Sequence, residues 1–348
     1  MATRELIMGT EGVVRSTEIV VRRFGGPEAL ETVTRDIGPL PPGHAHVRML
    51  AAGVGLTDVM ARTGDYLLQR TAGFSPGYEL VGEVVDYAAT GDDPAWVAPG
   101  TRVAVSLPAM GAYREHLQLP AWQLVPVPDG LDTIVAACIP LDYLTAWSVL
   151  HRHGRVAEGD TVLIQGASGG VGQALSQLGK RAGLRMYGTA SSGERLARYG
   201  VEFIDYRTQD FRAVLREREP DGIQAVFDHL GGATLRGGYR LLARGGVAVS
   251  YAFAGRPGHM RMDTVRGAVG SKVRGLWPGR RTALCMLPAE LRSDHDWYRA
   301  TLRTLLEMAR DGAIVPEVGR VFPLAKAADA HRALERRDAG GKIVLTTE

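Results

Sequence analysis

Across residues 19–127 apolar and polar positions alternate in short runs that Gly and Pro interrupt. His46-Val-Arg-Met-Leu-Ala-Ala, Val81-Gly-Glu-Val-Val-Asp-Tyr and Arg102-Val-Ala-Val-Ser-Leu read as strands of a β-rich unit. The pattern changes near Pro140. From there to Leu287, strand-like runs at 161–165, 184–188, 225–228 and 247–251 are separated by amphipathic helical stretches, which is the signature of a parallel, doubly wound sheet. A helical period then covers about 297–310, and Gly341-Lys-Ile-Val-Leu-Thr-Thr reads as one closing strand. A lone strand of this kind usually returns to an earlier sheet. The expected organisation is a first β-rich part over 1–139, an α/β unit over 140–288, and a return to the first part over 289–348.

The densest chemical signal is Thr161-Val-Leu-Ile-Gln-Gly-Ala-Ser-Gly-Gly-Val-Gly172, followed by a helical spacing of Val171, Ala174, Leu175, Leu178 and Ala182. A strand, a glycine-rich turn and a helix N-terminus present backbone N–H groups to a dinucleotide pyrophosphate. Ser168, Gly169, Gly170, Val171 and Gly172 are the expected contacts; Gly169 lets the phosphates approach and Gly172 lets the helix pack closely, while Ala167 stands where the fingerprint has its first glycine. The same residues also fit a nucleophile elbow, Gly166-Ala-Ser168-Gly-Gly170, with Asp228 and His331 as partners of a hydrolase triad. Gly172 and the second strand at 184–190 favour the dinucleotide. About 20 residues past the turn an NAD site expects an acid, but the chain reads Thr189-Ala-Ser-Ser-Gly-Glu-Arg195. The hydroxyls of Ser191 and Ser192 and the guanidinium of Arg195 suit a 2′-phosphate, so NADPH is the expected cofactor. A solvated turn with an N-cap serine is the plainer alternative.

Composition narrows the class. A chain of 348 residues with 45% hydrophobic content and 44 glycines suits a two-domain α/β protein. A net charge of +3 does not suggest a nucleic-acid binder, and no apolar run is long enough to span a membrane. The first residues lack the basic start and apolar core of a signal peptide, and Cys138 and Cys285 are too few for a disulfide framework. A reduced, cytoplasmic setting is therefore expected.

In this order the motifs resemble the medium-chain dehydrogenase/reductase superfamily, and within it the zinc-independent quinone oxidoreductase branch. The resemblance is carried by Phe24-Gly-Gly-Pro-Glu, Gly53-Val-Gly-Leu-Thr-Asp58, Arg62-Thr-Gly-Asp-Tyr66, Pro76-Gly-Tyr-Glu-Leu-Val-Gly82 and Leu144-Thr-Ala146. Ala167-Ser-Gly-Gly-Val-Gly172, Asp205-Tyr-Arg207, Asp228-His-Leu-Gly-Gly232 and Gly341-Lys-Ile-Val-Leu complete it. Met60-Ala-Arg-Thr-Gly, Gly188-Thr-Ala-Ser and Gly237-Gly-Tyr-Arg-Leu-Leu look most like the synaptic-vesicle amine transport protein subgroup. The resemblance implies a GroES-like catalytic domain beside a Rossmann domain, with substrate in the cleft between them.

It also implies a chemistry. The zinc enzymes of the superfamily place a cysteine and a histidine where this chain has Gly55 and Tyr78, and two cysteines cannot form the four-cysteine structural site, so no metal is expected. The close pairs His44/His46 and His151/His153 have no ligand neighbours in sequence and read as solvated surface. Without a Lewis acid, the substrate should already be electron-poor: a quinone or a carbonyl-conjugated alkene such as an enone. Tyr66 occupies the position of a proton-donating tyrosine in related enoyl-thioester reductases, while Gly55 enlarges the substrate pocket and Tyr78 fills part of it. By resemblance Thr145 lies beside the nicotinamide, Leu230 joins the cofactor contacts, Tyr206 and Arg337 reach the 2′-phosphate, and main-chain groups of Tyr251, Ala252 and Phe253 meet the carboxamide. Two alternatives stay open: an enoyl-thioester reductase acting on CoA or acyl-carrier substrates, and a dinucleotide-binding protein with little activity. Residues 261–281, rich in Arg and Lys and holding Trp277-Pro278, read as a basic flap beside the active site or a seat for a CoA or acyl-carrier partner. Relatives commonly dimerise by extending the cofactor sheet, and 247–253 is the expected edge.

Overall fold

The computed structural model describes residues 14–91, 97–254, 258–275 and 278–347. Trp277 and residues 1–13 lie outside them. Val14–Val21 and Leu30–Ile37 form an antiparallel ribbon. Seven strands make the second sheet, with Val318–Pro323, Lys342–Thr346, His44–Val54, Glu79–Tyr87, Arg102–Ser106 and Val125–Pro126 in that order and His116–Pro120 added to His44–Val54. The closing strand Lys342–Thr346 runs antiparallel to His44–Val54, with Ile343 opposite Val54. A register shift between Met49 and Ala51 turns the long strand between two cores. Met49 and Ala52 pack inside the sheet's own core, and Ala51 joins a second core with Leu144, Ile164, Phe227 and Tyr298. That shared core ties the second sheet to the third, and the Tyr298 hydroxyl strengthens the tie by donating to Gln123 O at 2.6 Å.

The third sheet is wholly parallel, with strands Val201–Asp205, Arg185–Ala190, Thr161–Ile164, Ile223–Asp228, Leu242–Ser250 and Arg281–Leu284 in spatial order. The order reverses between Thr161–Ile164 and Ile223–Asp228, which opens a crevice at their C-terminal ends. The α/β fold with a β-rich first part thus matches the expectation. The flanking strands were not foreseen, because Val201–Asp205 leaves Glu202 and Phe203 exposed and Arg281–Leu284 has no fully buried residue. One expectation is corrected: residues 247–253 are not an edge, since Leu242–Ser250 is paired on both sides and the outer strands are Val201–Asp205 and Arg281–Leu284. Most of the basic stretch 261–281 is the helix Met260–Gly275, which leads to the outer strand Arg281–Leu284. No described helix is long and apolar enough to cross a membrane.

Candidate active site

The glycine turn sits at the reversal. Gly166 takes a left-handed φ of +67°, and the His229 imidazole fills the space a Cβ would need, its Nε2 3.1 Å from that point. Gly172 presses the helix Gly170–Arg181 onto the turn; a Cβ there would lie 2.7 Å from Ala167 Cα. Ala167 replaces the first fingerprint glycine because its neighbour makes room: Gly188 faces the Ala167 methyl across the adjacent strand. Thr189 locks the turn, accepting the Ala167 N–H at its carbonyl (2.9 Å) and the Gly166 N–H at its hydroxyl (3.0 Å). Gly169 and Gly170 remain exposed at the helix N-terminus, and Ser168 and Val171 are half-buried beside them. Open N–H groups and the positive helix end suit a pyrophosphate.

Beyond the turn, Asp228 is buried and accepts N–H bonds from Leu230 and Gly231, the latter at 2.5 Å. Burial pushes its carboxyl up to about 7. His229, which the sequence reading passed over, lies 3.1 Å from Gln165 O through Nδ1 and stacks on Tyr251 with centroids 5.7 Å apart. Burial lowers its pKa, so the ring is neutral. Phe253 points into the core beside Gly231 and Gly267, which leaves only its main chain available; Tyr251 and Ala252 are half-buried. Gln165 Nε2, Asp228 Oδ2 and Ser250 Oγ are buried without a hydrogen-bond partner. Such orphaned atoms at strand ends fit a polar ligand.

At the end of Arg185–Ala190, Ser191 and Ser192 are exposed, and neither caps the next helix, whose N-cap is Gly193. Arg195 Nε is 3.3 Å from Glu317, and Gly340 lies against its guanidinium. Tyr206 is exposed beside Arg207, a residue not singled out before, which pairs with Asp205 at 2.7 Å and donates to Ser191 O at 2.6 Å. Arg337 is exposed, left-handed at φ +57° and free of any ion pair among the described residues. The turn 337–340 therefore stands next to Arg195.

The opposite wall belongs to the second, seven-stranded sheet. Asp58, in the helix Leu56–Arg62, accepts the Gly55 N–H (2.8 Å), the Gly77 N–H (2.9 Å) and the Tyr113 hydroxyl (3.3 Å). One carboxylate thereby fixes both loops that carry Gly55 and Tyr78, and burial raises it to about 6. The Tyr78 hydroxyl donates to the Tyr66 hydroxyl at 3.2 Å, with the rings edge to face at 6.1 Å. Burial raises both phenols, Tyr78 further. The cleft is closed by contacts across it: Gly258 N–H donates to Asp65 at 2.6 Å, and Gly55 faces Leu141. The next residue, Asp142, lies against Gly170 and shares Lys342 Nζ (3.0 Å) with Glu79 (2.5 Å). Thr145 spends its hydroxyl on Leu141 O at 2.7 Å, the plain helical bond.

A zinc ion of the superfamily's kind does not fit here, since Gly55 has no donor and the Tyr78 hydroxyl is committed to Tyr66. His46 pairs with His116 at 3.0 Å rather than with His44. His153 is not bare surface: its ligand atom and those of Cys285 and Glu290 lie within 4.8 Å of one another. Glu290 already accepts from His153 (2.8 Å) and Ser148 (2.6 Å), and burial holds the Cys285 thiol protonated. The hydrolase triad does not form, because His331 is buried in the first part against Tyr113 while Asp228 binds its own loop.

Two family descriptions match the chain: alcohol dehydrogenase GroES-like domain over residues 41–129 and zinc-binding dehydrogenase over 200–345. The human synaptic vesicle membrane protein VAT-1 homolog is 30% identical over 344 residues, covering 94% of this chain and 85% of its own. A 2-haloacrylate reductase from Burkholderia sp is 31% identical over 335 residues, covering 94% of this chain and 97% of its own. Among solved structures, a mycobacterial protein complexed with NADPH is 30% identical, with a TM-score of 0.79 over 95% of this chain and 99% of that one. Sequence shared over both parts, together with the sheet order, makes the chain a member of the medium-chain dehydrogenase/reductase superfamily, alongside the VAT-1 homologues and the quinone oxidoreductases.

Proposed function

We propose that the chain is a metal-independent reductase that uses NADPH to reduce a quinone or a carbonyl-conjugated alkene. The observation that carries this reading is the Tyr66–Tyr78 hydroxyl pair, whose Tyr78 member stands, by resemblance, where the zinc enzymes of the superfamily have a histidine ligand. The mycobacterial relative complexed with NADPH and the haloacrylate reductase support the cofactor and the alkene class. Bound NADPH supplies hydride to the electron-poor carbon or quinone. The chain supplies the rest. Gly169, Gly170 and the helix N-terminus hold the pyrophosphate, and Ser191, Ser192, Arg195, Tyr206, Arg207 and Arg337 form the 2′-phosphate corner. Tyr66 stays protonated at neutral pH and gives its proton to the developing enolate or quinol oxygen. Tyr78, donating to the Tyr66 oxygen, stabilises the phenolate left behind until solvent reprotonates it. A dimer would form through Arg281–Leu284, the outer strand of the parallel sheet next to Leu242–Ser250.

The test is consumption of NADPH, with NADH beside it, against ortho-quinones, para-quinones, enones and enoyl thioesters. Turnover of quinones or enones supports the reading, and turnover of thioesters alone would move the substrate class to acyl carriers. Tight NADPH binding with no reduction of any acceptor would refute the enzyme.

A further inference from the structure

Arg244 stands six residues upstream of Ser250 in one strand, so about 20 Å of extended chain separates it from the cofactor edge. At that opposite edge the parallel sheet opens into a cleft of about 860 Å³ lined by Arg236, Tyr239, Arg240, Arg244, Arg274 and Arg280. The arginines do not come from one charged run. Arg236 and Arg240 lie one turn apart on the helix Gly232–Arg240, Arg244 is on the next strand, Arg274 ends the helix Met260–Gly275, and Arg280 precedes the edge strand. The Tyr239 hydroxyl donates to Arg274 O at 3.0 Å, and the Arg280 guanidinium lies 5.9 Å from the Tyr239 ring centroid, so aromatic and cations are held together.

Among the described residues no carboxylate lines this cleft, and none of the five guanidinium groups forms an ion pair. Arg240 and Arg274 each gain from a helix C-terminus, but Arg236, Arg244 and Arg280 have no such compensation. Burial, then Arg236 and Arg240, weaken the hold of Arg274 on its proton, as expected of like charges gathered without a counter-charge. The nearest acids, Glu219 and Asp221, line an adjoining hollow that Arg240 and Arg280 also border, but neither forms an ion pair with them, and Glu219 is already taken by Arg185 and Tyr187. The volume is that of a small-molecule site. Guanidinium forks bind phosphate oxygens in pairs.

We propose that this cleft binds a small molecule carrying two or more phosphate groups, of the nucleoside polyphosphate class, at a site separate from hydride transfer. The inference does not depend on the reductase reading. It is tested by calorimetric titration of the full chain, with and without saturating NADPH, using pyrophosphate, ATP and orthophosphate in about 150 mM salt. Pyrophosphate and ATP are expected to saturate one site that NADPH does not block, and orthophosphate to bind more weakly. Arg240→Ala/Arg280→Ala should weaken them about tenfold or more with NADPH affinity and Tm retained. Arg236→Ala/Arg244→Ala, in exposed positions, guards against a packing effect at Tyr239 and should weaken them as well. Absence of binding, or binding unchanged in both variants, overturns the proposal. So does arginine-dependent binding to phosphatidylserine vesicles that pyrophosphate fails to compete, which would assign the cleft to a membrane surface.

Discussion

Gly172 and Gly169 make opposite demands on the same turn, and alanine at each should separate them. At Gly172 a Cβ would stand 2.7 Å from Ala167 Cα and closer still to the Gly166 carbonyl oxygen, whereas ordinary contact begins near 3.4 Å. The obstacles are backbone, so the helix must withdraw by 3.4 − 2.7 = 0.7 Å or more. Overpacking of this kind costs about 1–3 kcal/mol, and a displacement approaching 1 Å at a positioned site costs about a hundredfold in function. At Gly169 the nearest atom is Gly166 O at 3.4 Å and the backbone is extended, so alanine folds without strain. Its methyl would instead stand on the exposed face where phosphate oxygens approach. Gly172→Ala should therefore lower both Tm and NADPH affinity, and Gly169→Ala should lower affinity alone. Differential scanning calorimetry and fluorescence titration with NADPH read the two quantities separately. Unchanged NADPH affinity in both variants would refute the placement of the dinucleotide on this turn.

Tyr66→Phe should reduce kcat by about 10²–10⁴ with NADPH affinity unchanged, and Tyr78→Phe should reduce it less; equal kcat in wild type and Tyr66→Phe would remove the proton donor. Arg337→Ala, which breaks no ion pair, should raise the Kd for NADPH about tenfold and leave NADH nearly unaffected, as measured by titration with each cofactor. Asp228 has a folded pKa of about 7, above its ordinary 3.8, so the protonated form favours the fold. Its stabilising contribution is complete below the unfolded pKa and is lost as pH rises through about 7. Asp228→Asn should flatten that part of the Tm profile between acid and neutral pH, and parallel profiles would show that the group does not titrate on folding.

The elements with strong local signals were legible in the sequence. The turn at 166–172 announces itself because its glycines must stand between a buried strand and a helix, and the change of period near Pro140 separates two sheet types. What stayed hidden depends on distant segments meeting. Tyr66 could be nominated by resemblance, but its bond to Tyr78 follows from Asp58 holding two loops at once. His229 is an unremarkable residue in the sequence, and only the empty Cβ position of Gly166 explains where its ring goes. The basic stretch at 261–281 was visible, yet Arg274 and Arg280 face a cleft with residues some thirty positions earlier, away from the cofactor. His153 likewise acquires Cys285 and Glu290 only through folding.

The pairing of Lys342–Thr346 with His44–Val54 also dictates an order of assembly on the ribosome. Every strand of the parallel sheet, from Thr161 to Leu284, emerges before that partner does, so the α/β unit can mature while the earlier sheet still leaves Ala51–Val54, the end of its longest strand, unpaired on one side. Until Lys342 arrives, Glu79 and Asp142 lack the cation that neutralises them both. The part of the molecule made first is thus finished last, and a stalled or clipped chain would leave a half-built sheet with an open edge.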